Sequence, residues 1–560
     1  DRYFLNSLGE EDWKEEIRYV QNRITDSLIR KSISLLPDTI YALSGEKIIH
    51  TLIARRSILE QEALKYYRFI SKYVDIPASD KHELFDIENK SNGSVGVTIF
   101  KIKKDGTKDK EIFKRSFDPA VTKEIRLYGF DGRDIFSVSG TVKSPIKIRM
   151  IGGEDKDSFY VNSELHNKSR LYVYDRSNEE NILPERSEAK IRTSTDSSVN
   201  SFDKHQFKYD QFGPIAFVQY NLDQGFQFRG GFIYEKHGFR KEPYVARHEL
   251  FGNYSTGRKA FLFTYSGDLK KVFGKTDLLI NVLSRGPHNV SNFYGVGNET
   301  EFVKTGTKGI EFYRNRYDYL NADVRLKWPV QKRLNLSIGV AGQYYSSSQK
   351  NNISHFLNAY DAQRPGENVF STRYYTGAIA GASIDTRNHP MLPTRGIFWN
   401  LEVKGMQEIS GDKKSYGQIR SDLSFYTPIL RDSNIVIVNR VGGGTTIGKP
   451  AYFQQMQLGG IQNLRGYHSI RFTGKTMFYH NIQANIKLFN FTSYLFPGAV
   501  GIIGFNDVGR VWVPGENSDK WHHGYGGGIY IVPADLVLIQ VVLGRSNEGI
   551  QPYITVGLNF

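Results

Sequence analysis

Several short stretches of this chain carry residue types that perform chemistry in other proteins. In VGGGTTIGKP (441–450), Gly443, Gly448 and Lys449 satisfy most of a nucleotide-binding loop and follow the apolar strand NIVIVNRV. Such a loop needs a Ser or Thr hydroxyl after its Lys to ligand magnesium, and a helix behind it to supply amides. Pro450 stands at that position and AYFQQMQ continues without a helical pattern, so the glycines read as residues that face a crowded interior. Asp80-Lys81-His82 and Asp203-Lys204-His205 are isolated fragments of the Asp and His sets that metallophosphatases cluster. Neither a G-x-S-x-G elbow nor an H-E-x-x-H helix occurs. His522 and His523 are adjacent, point to opposite sides of an extended segment, and read as surface. With no Cys, thiolate nucleophiles, thiolate zinc sites and disulfides are all absent. No enzyme activity, resident metal or cofactor is expected of these residues.

A weak calcium candidate lies in an internal repeat. IRLYGFDGRDIFSV (125–138) aligns with IRMIGGEDKDSFYV (148–161), matching Gly129 with Gly152, Asp134 with Asp157 and Phe136 with Phe159. Two stacked strand-turn-strand rungs are the natural reading, with Gly easing the turn and Phe and Val filling the space between rungs. The pattern is also similar to the glycine-aspartate repeats of calcium-binding β-rolls, which makes Asp134 and Asp157 cation candidates beside a plain structural turn. Asp155 replaces the Gly132 of the first copy.

The elements that must position these residues follow from periodicity. Residues 10–75 carry apolar residues at three- and four-residue spacing, including Ile49, Leu52, Ile53, Leu64 and Ile70, and are split at Pro37 and Asp38. A helical module is expected over 1–82. From 83 the period becomes two, with a hairpin turning at Asp105-Gly106, and the β-rich module with the two-rung repeat spans 83–165. The polar stretch 166–204 reads as a linker or plug. Beyond 205, Asn321, Asp323, Arg325 and Lys327 interleave with Ala322, Val324, Leu326 and Trp328, and Asn481, Gln483 and Asn485 with Ile482, Ala484 and Ile486.

A soluble sandwich shares that alternation. Strand length and closure separate the two readings, because about 9–11 residues cross a bilayer and a closed barrel leaves no unpaired edge in lipid. The segments are that long and carry Tyr and Phe near their ends, and the last strand finishes on Phe560. At roughly 22 residues per strand and loop, 205–560 gives about 16 strands. The expected fold is all-β: a ~16-stranded antiparallel transmembrane barrel behind an N-terminal α+β module. A mean hydropathy of -0.44 and the lack of a long apolar run exclude helical membrane spans. The net charge of +15 comes from Lys and Arg interspersed with Asp and Glu, which points away from nucleic acid and toward anionic lipid or lipopolysaccharide. The chain opens in polar sequence, as a processed chain or the tail of a longer one would.

Three motifs then carry a resemblance. IDTRNHPMLPTRG (384–396), LGGIQNLRGY (458–467) and GFNDVGRVW (504–512) resemble, in type and order, signatures of the outer-membrane assembly superfamily of surface-antigen barrels that includes the BamA and TamA insertases and the two-partner secretion transporters. The resemblance implies a family turn at Asp385, Arg387, Pro393 and Gly396. It implies a lumenal loop tipped by Leu464, Arg465, Gly466 and Tyr467, whose Arg pairs with Asp507 on the inner wall, and a C-terminal strand signal at Phe560. The family's wall Glu falls on Gln483 and its nearby Arg on Asn485, so part of the expected ion pairing becomes a neutral hydrogen bond.

The implied function is assembly or insertion of outer-membrane proteins through a lateral seam, in the outer membrane of a Gram-negative bacterium with the N-terminal module in the periplasm. Unfolded outer-membrane proteins and periplasmic or lipoprotein accessory subunits are the partners that go with it. A membrane anchor for an upstream periplasmic phosphoesterase and a secretion pore are the alternatives. The first 200 residues resemble the segment that joins a calcineurin-like phosphoesterase to such a barrel in Bacteroidota fusion proteins, rather than the family's usual periplasmic repeats.

Overall fold

The computed structural model describes residues 2–103, 106–286, 289–303, 309–331, 333–430 and 432–558. Asp105 of the expected hairpin turn and the terminal Phe560 lie outside them. Two compact units result, Asp1–Phe207 and Lys208–Phe560.

The first unit begins with helices Glu10–Arg23, Asp26–Ile33, Glu46–Ser57 and Leu59–Ile70. The Thr25 hydroxyl accepts the Leu28 amide at 3.2 Å, capping the second helix, and Pro37 follows its end. Of the expected apolar stripe, Ile49 and Ile70 are buried, whereas Leu52 is 37 % exposed and belongs to the wet side.

Two five-stranded sheets follow, with the apolar core between them. Tyr73–Pro77, Glu124–Asp131, Lys147–Glu154, Leu171–Arg176 and Lys190–Ser194 form one sheet, paired in parallel. In the other, Glu83–Asn89, Ile135–Ser139 and Ser158–Val161 pair in parallel, and Val95–Ile102 and Lys108–Phe117 extend the edge as an antiparallel hairpin. Each rung runs from one sheet to the other. Ile125 registers with Ile148 and Phe136 with Phe159, the two copies of the repeat, and the rings of Phe85, Phe136 and Phe159 stack at 4.2 and 4.8 Å. The rungs extend beyond the two legible in sequence. Tyr73–Pro77 with Glu83–Asn89 is a further rung, hidden because the hairpin separates it from the next, so residues 73–77 are sheet where a helical module was expected.

The stretch 166–204, expected as a linker or plug, instead supplies two strands of the first sheet. Its polarity misled because only Leu171, Val173 and Ala189 join the apolar core, while Tyr172 and Tyr174 occupy the outer face. Asp134 and Asp157 serve this stack as acceptors. Asp134 takes the Glu83 amide, Asp157 takes the Asp134 amide, and Asn181 takes the Asp157 amide, each at 2.8 Å. Both carboxyls point inward and are buried, and among the described residues no group of three His, Asp or Glu is placed to hold a metal ion. Burial, then the Asp157 charge, pushes Asp134 up to about 10, and burial pushes Asp157 up to about 8. Gly132 and Asp155 both adopt positive φ, 108° and 79°, a conformation Asp tolerates better than most side chains.

In the second unit sixteen strands of the described residues, from Gln211–Asn221 to Gly549–Leu558, close into a barrel in which sequence neighbours pair antiparallel. The alternation resolves into two faces. Asp323 and Asn481 are buried inside, whereas their neighbours Val324 and Ile482 stand 42 % and 40 % exposed on the outer face, as hydrocarbon contact requires. No helix of the described residues is long and apolar enough to cross a membrane. The connections are unequal. At one end lie the long segments 286–317, 347–371, 449–475 and 513–521; at the other, most turns are short, apart from 237–245 and 386–395.

Candidate functional site

The segment between strands Ile435–Gly448 and Thr476–Thr492 folds back inside the barrel. It holds its shape with a two-stranded ribbon, Met456–Leu458 paired with Phe472–Gly474. Its own core is Met456, Leu458, Leu464, Tyr467 and Phe472, packed against Met477, Tyr479 and Val511 of the wall. Leu464 is fully buried there, so the first residue of the tip anchors the others.

The Arg465 guanidinium then forks onto Asp507: Nε donates to Oδ2 and Nη2 to Oδ1, both at 2.7 Å. The Arg465 backbone amide also donates to Oδ2, at 2.9 Å, and Nη1 donates to Gln483 Oε1 at 2.6 Å. The Asp507 side chain is 1 % exposed, so the bidentate charge-assisted geometry is what offsets its desolvation. Gln483 in turn donates to Asn485 at 2.8 Å, a neutral relay at the two positions that depart from the family pattern.

Strand Pro497–Trp512 explains why its motif alternates as it does. Phe505, Asp507 and Gly509 all face the lumen. The guanidinium lies 3.6 Å from the centre of the Phe505 ring, Asp507 receives it, and Gly509 leaves room for Leu458, whose methyl carbons would stand 3.1 Å from an added Cβ. Two further glycines form the floor under the tip. A Cβ on Gly524 would overlap the Arg465 carbonyl oxygen, and one on Gly544 would come within 2.7 Å of the Gly466 nitrogen. Gly466 itself has φ 91° and sits against the backbone of Arg545 and Ser546. The Tyr467 hydroxyl donates to Asn547 at 2.8 Å.

The turn between Thr372–Asp385 and Gly396–Glu408 reaches the same wall from the opposite end. Arg387 forks onto Asp385 at 2.7 and 2.9 Å, and Gly396, at φ 113°, passes so close to the Thr386 carbonyl that a side chain would not fit. Met391 and Leu392, just before Pro393, pack against the cluster of Ile503, Phe505, Tyr530, Val532, Leu538 and Val542. Phe505 thus lies between the loop tip and the turn, and the three sequence motifs converge on one patch of the wall.

Other contacts had no signal in the sequence. Asp223, in the turn of the first hairpin, accepts from Ser469 N at 2.6 Å and Asn292 at 2.9 Å, and bonds His468 Nδ1 at 2.7 Å. His468 Nε2 lies 3.2 Å from Gln551, and Gly466 N donates to the Tyr553 hydroxyl at 3.1 Å, both on the last strand. An Asp in NLDQG reads only as a turn former. His522, expected at the surface, is buried instead, stacked on Phe472 at 3.6 Å, because it lies on the lumenal face where the loop covers it; His523 faces outward. In VGGGTTIGKP, a Cβ on Gly442 would collide with the Tyr479 ring and one on Gly444 would come within 3.0 Å of the Met456 sulfur.

The loop spans the barrel's closure. Between the first and last strands, among the described residues, two register pairs form, Tyr220↔Ile554 and Asn221↔Tyr553. On its other side the first strand pairs along its whole length, from Gln211↔Glu235 to Asn221↔Gly225. Among the described residues, 211–219 therefore have no ladder partner on this edge.

Residues 287–533 match the Omp85 superfamily domain. No curated relative matches the chain. Among solved structures it is similar to BamA from Haemophilus ducreyi lacking POTRA domains 1–3, at 13 % identity and a TM-score of 0.45 over 62 % of this chain and 70 % of that one. CdiB from Acinetobacter baumannii is 12 % identical with a TM-score of 0.40 over 63 % and 60 %, and CdiB from Escherichia coli 12 % with 0.39 over 62 % of each. The chain thus spans about three fifths of the length of the two CdiB structures. The barrel unit thus carries an Omp85 superfamily domain over residues 287–533.

Proposed function

We propose that this barrel works in outer-membrane protein assembly or insertion, its seam opening toward lipid to offer the edge of Gln211–Asn221 to substrate strands. The two-pair seam carries the reading. An open edge in hydrocarbon leaves amides and carbonyls without partners, so an incoming strand that completes the ladder gains main-chain hydrogen bonds available nowhere else nearby. The LRGY loop, Leu464 to Tyr467, acts as an internal brace: Asp507 and Gln483 fix it to the closed wall, while Asp223, Gln551 and Tyr553 tie it to both sides of the seam. Asp385, Arg387, Pro393 and Gly396 shape the turn that closes the mouth beneath it.

The long connections face the cell exterior and the short turns the periplasm, where the helical and rung-forming unit receives unfolded outer-membrane proteins or accessory subunits. Outer-membrane lipid and lipopolysaccharide surround the barrel. Depletion of the protein, followed by quantification of other outer-membrane barrels in isolated membranes, tests the reading. Their levels are expected to fall. Unchanged levels would overturn it in favour of an anchor or a dedicated secretion pore.

A further inference from the structure

The inserted loop leaves open a second part of the lumen, a cavity of about 540 Å³ on the side away from Asp507. Four arginines line it, Arg258, Arg285, Arg420 and Arg440, against a single carboxylate, Asp422. That carboxylate is already used. Arg440 forks onto it, with Nε at 2.8 Å and Nη2 at 2.7 Å, and the Tyr479 hydroxyl donates to it as well. Among the described residues, no carboxylate hydrogen-bonds the other three guanidiniums. Arg258 donates to the carbonyls of Asp223 and Val290 at 3.0 and 3.2 Å, and its Nη2 is buried without any acceptor. Arg285 faces the Tyr319 ring at 6.0 Å, and Tyr319 is also its neighbour in the register. Arg420 registers opposite Glu402, but Glu402 is taken by Arg325 at 2.9 Å. Other arginines of the inner wall do pair, Arg325 with Asp323 and Arg247 with Glu235 and Glu249.

We propose that this cavity is a binding site for a phosphate-class oxyanion held by Arg258, Arg285 and Arg420. A guanidinium is always charged and offers its donors in a planar fork that matches phosphate oxygens. Three guanidiniums on the lining of one cavity offer more donors than the two oxygens of a carboxylate can accept, and a tetrahedral dianion supplies further acceptors. The excess of guanidiniums over carboxylates on a lining of low dielectric raises the local concentration of such an anion and excludes cations. The volume admits inorganic phosphate with water, or a larger phosphorylated solute, within the range of ordinary small-ligand sites.

The test uses the full chain purified in detergent at low ionic strength, where exposed charges are least screened. Inorganic phosphate, acetate and chloride are titrated calorimetrically into the wild type, into Arg285→Gln/Arg420→Gln, and into Arg229→Gln, which alters a lumenal arginine outside this cavity. Saturable phosphate binding at least about tenfold tighter than acetate or chloride is expected, weakened about tenfold or more in the double variant and unchanged in Arg229→Gln. Should the double glutamine variant fail to give the folded, heat-modifiable band, Arg285→Lys/Arg420→Lys replaces it, and a several-fold loss is expected because the forks are gone while the charge remains. Absence of saturable phosphate binding in the wild type, or equal affinity in a folded cavity variant, would overturn the proposal.

Discussion

The backbone amide of Gly466 donates to the side-chain hydroxyl of Tyr553, and the backbone of Tyr553 stands opposite Asn221 in the seam. The tip of an internal loop is therefore bonded to a residue that helps to close the barrel. Displacing the tip removes a support from the weakest junction of the wall.

Arg465→Ala leaves a buried Asp507 carboxylate without its counter-charge, at a cost of about 3–5 kcal/mol. Asp507→Asn should destabilise the barrel in the same way. The double variant should cost little more than either single one, because each has already broken the pair. Urea midpoints of the heat-modifiable band, read as a double-mutant cycle, check this, and fully additive effects would mean that the two side chains do not act together.

Gly524→Ala should mimic Arg465→Ala without touching any charge, because its Cβ would occupy the place of the Arg465 carbonyl oxygen. Gly504→Ala is the matched control, since nothing lies within 4 Å of the Cβ it would add. Protease accessibility of the 449–475 segment should rise in the first variant and stay at the wild-type level in the second.

The N-terminal unit should lose stability as pH rises. Asp134 binds its proton up to about pH 10 when folded, but in the unfolded chain releases it near the ordinary value of 3.8. Between those limits the folded state holds more protons, so its stability falls with rising pH. Glu83 and Asp157 face the same carboxyl and add to the effect. Asp134→Asn removes the Asp134 share of this dependence and leaves that of Asp157. Protection factors for the amides of Ile135–Ser139 in the full chain, compared at pH 5.5 and pH 9, should drop less in the variant than in the wild type.

The barrel was legible because lipid and lumen impose a strict two-residue period, which survives in segments such as Asn321–Lys327 whatever their partners. The Arg465 pair was legible through a resemblance rather than through spacing, since residues 465 and 507 are brought together only by closure of the wall. What stayed hidden depended on contacts between distant segments. Asp223 looks like any turn residue until His468 and Ser469 arrive from far along the chain. His522 looks exposed until the loop folds over it. The rung at 73–89 and the strands Leu171–Arg176 and Lys190–Ser194 were obscured for separate reasons, a hairpin insertion in one case and a polar outer face in the other.

The most direct measurement uses the absence of native Cys to lock the seam. Val218 and Val556 lie two residues beyond the paired positions Tyr220 and Ile554, in the part of the closure without ladder pairs. A Val218→Cys/Val556→Cys chain, introduced into cells depleted of the native protein, should restore the levels of other outer-membrane barrels while reduced. Once oxidised to the disulfide it should fail to do so, with activity returning on reduction. Full restoration by the locked, crosslinked form would contradict a seam that opens.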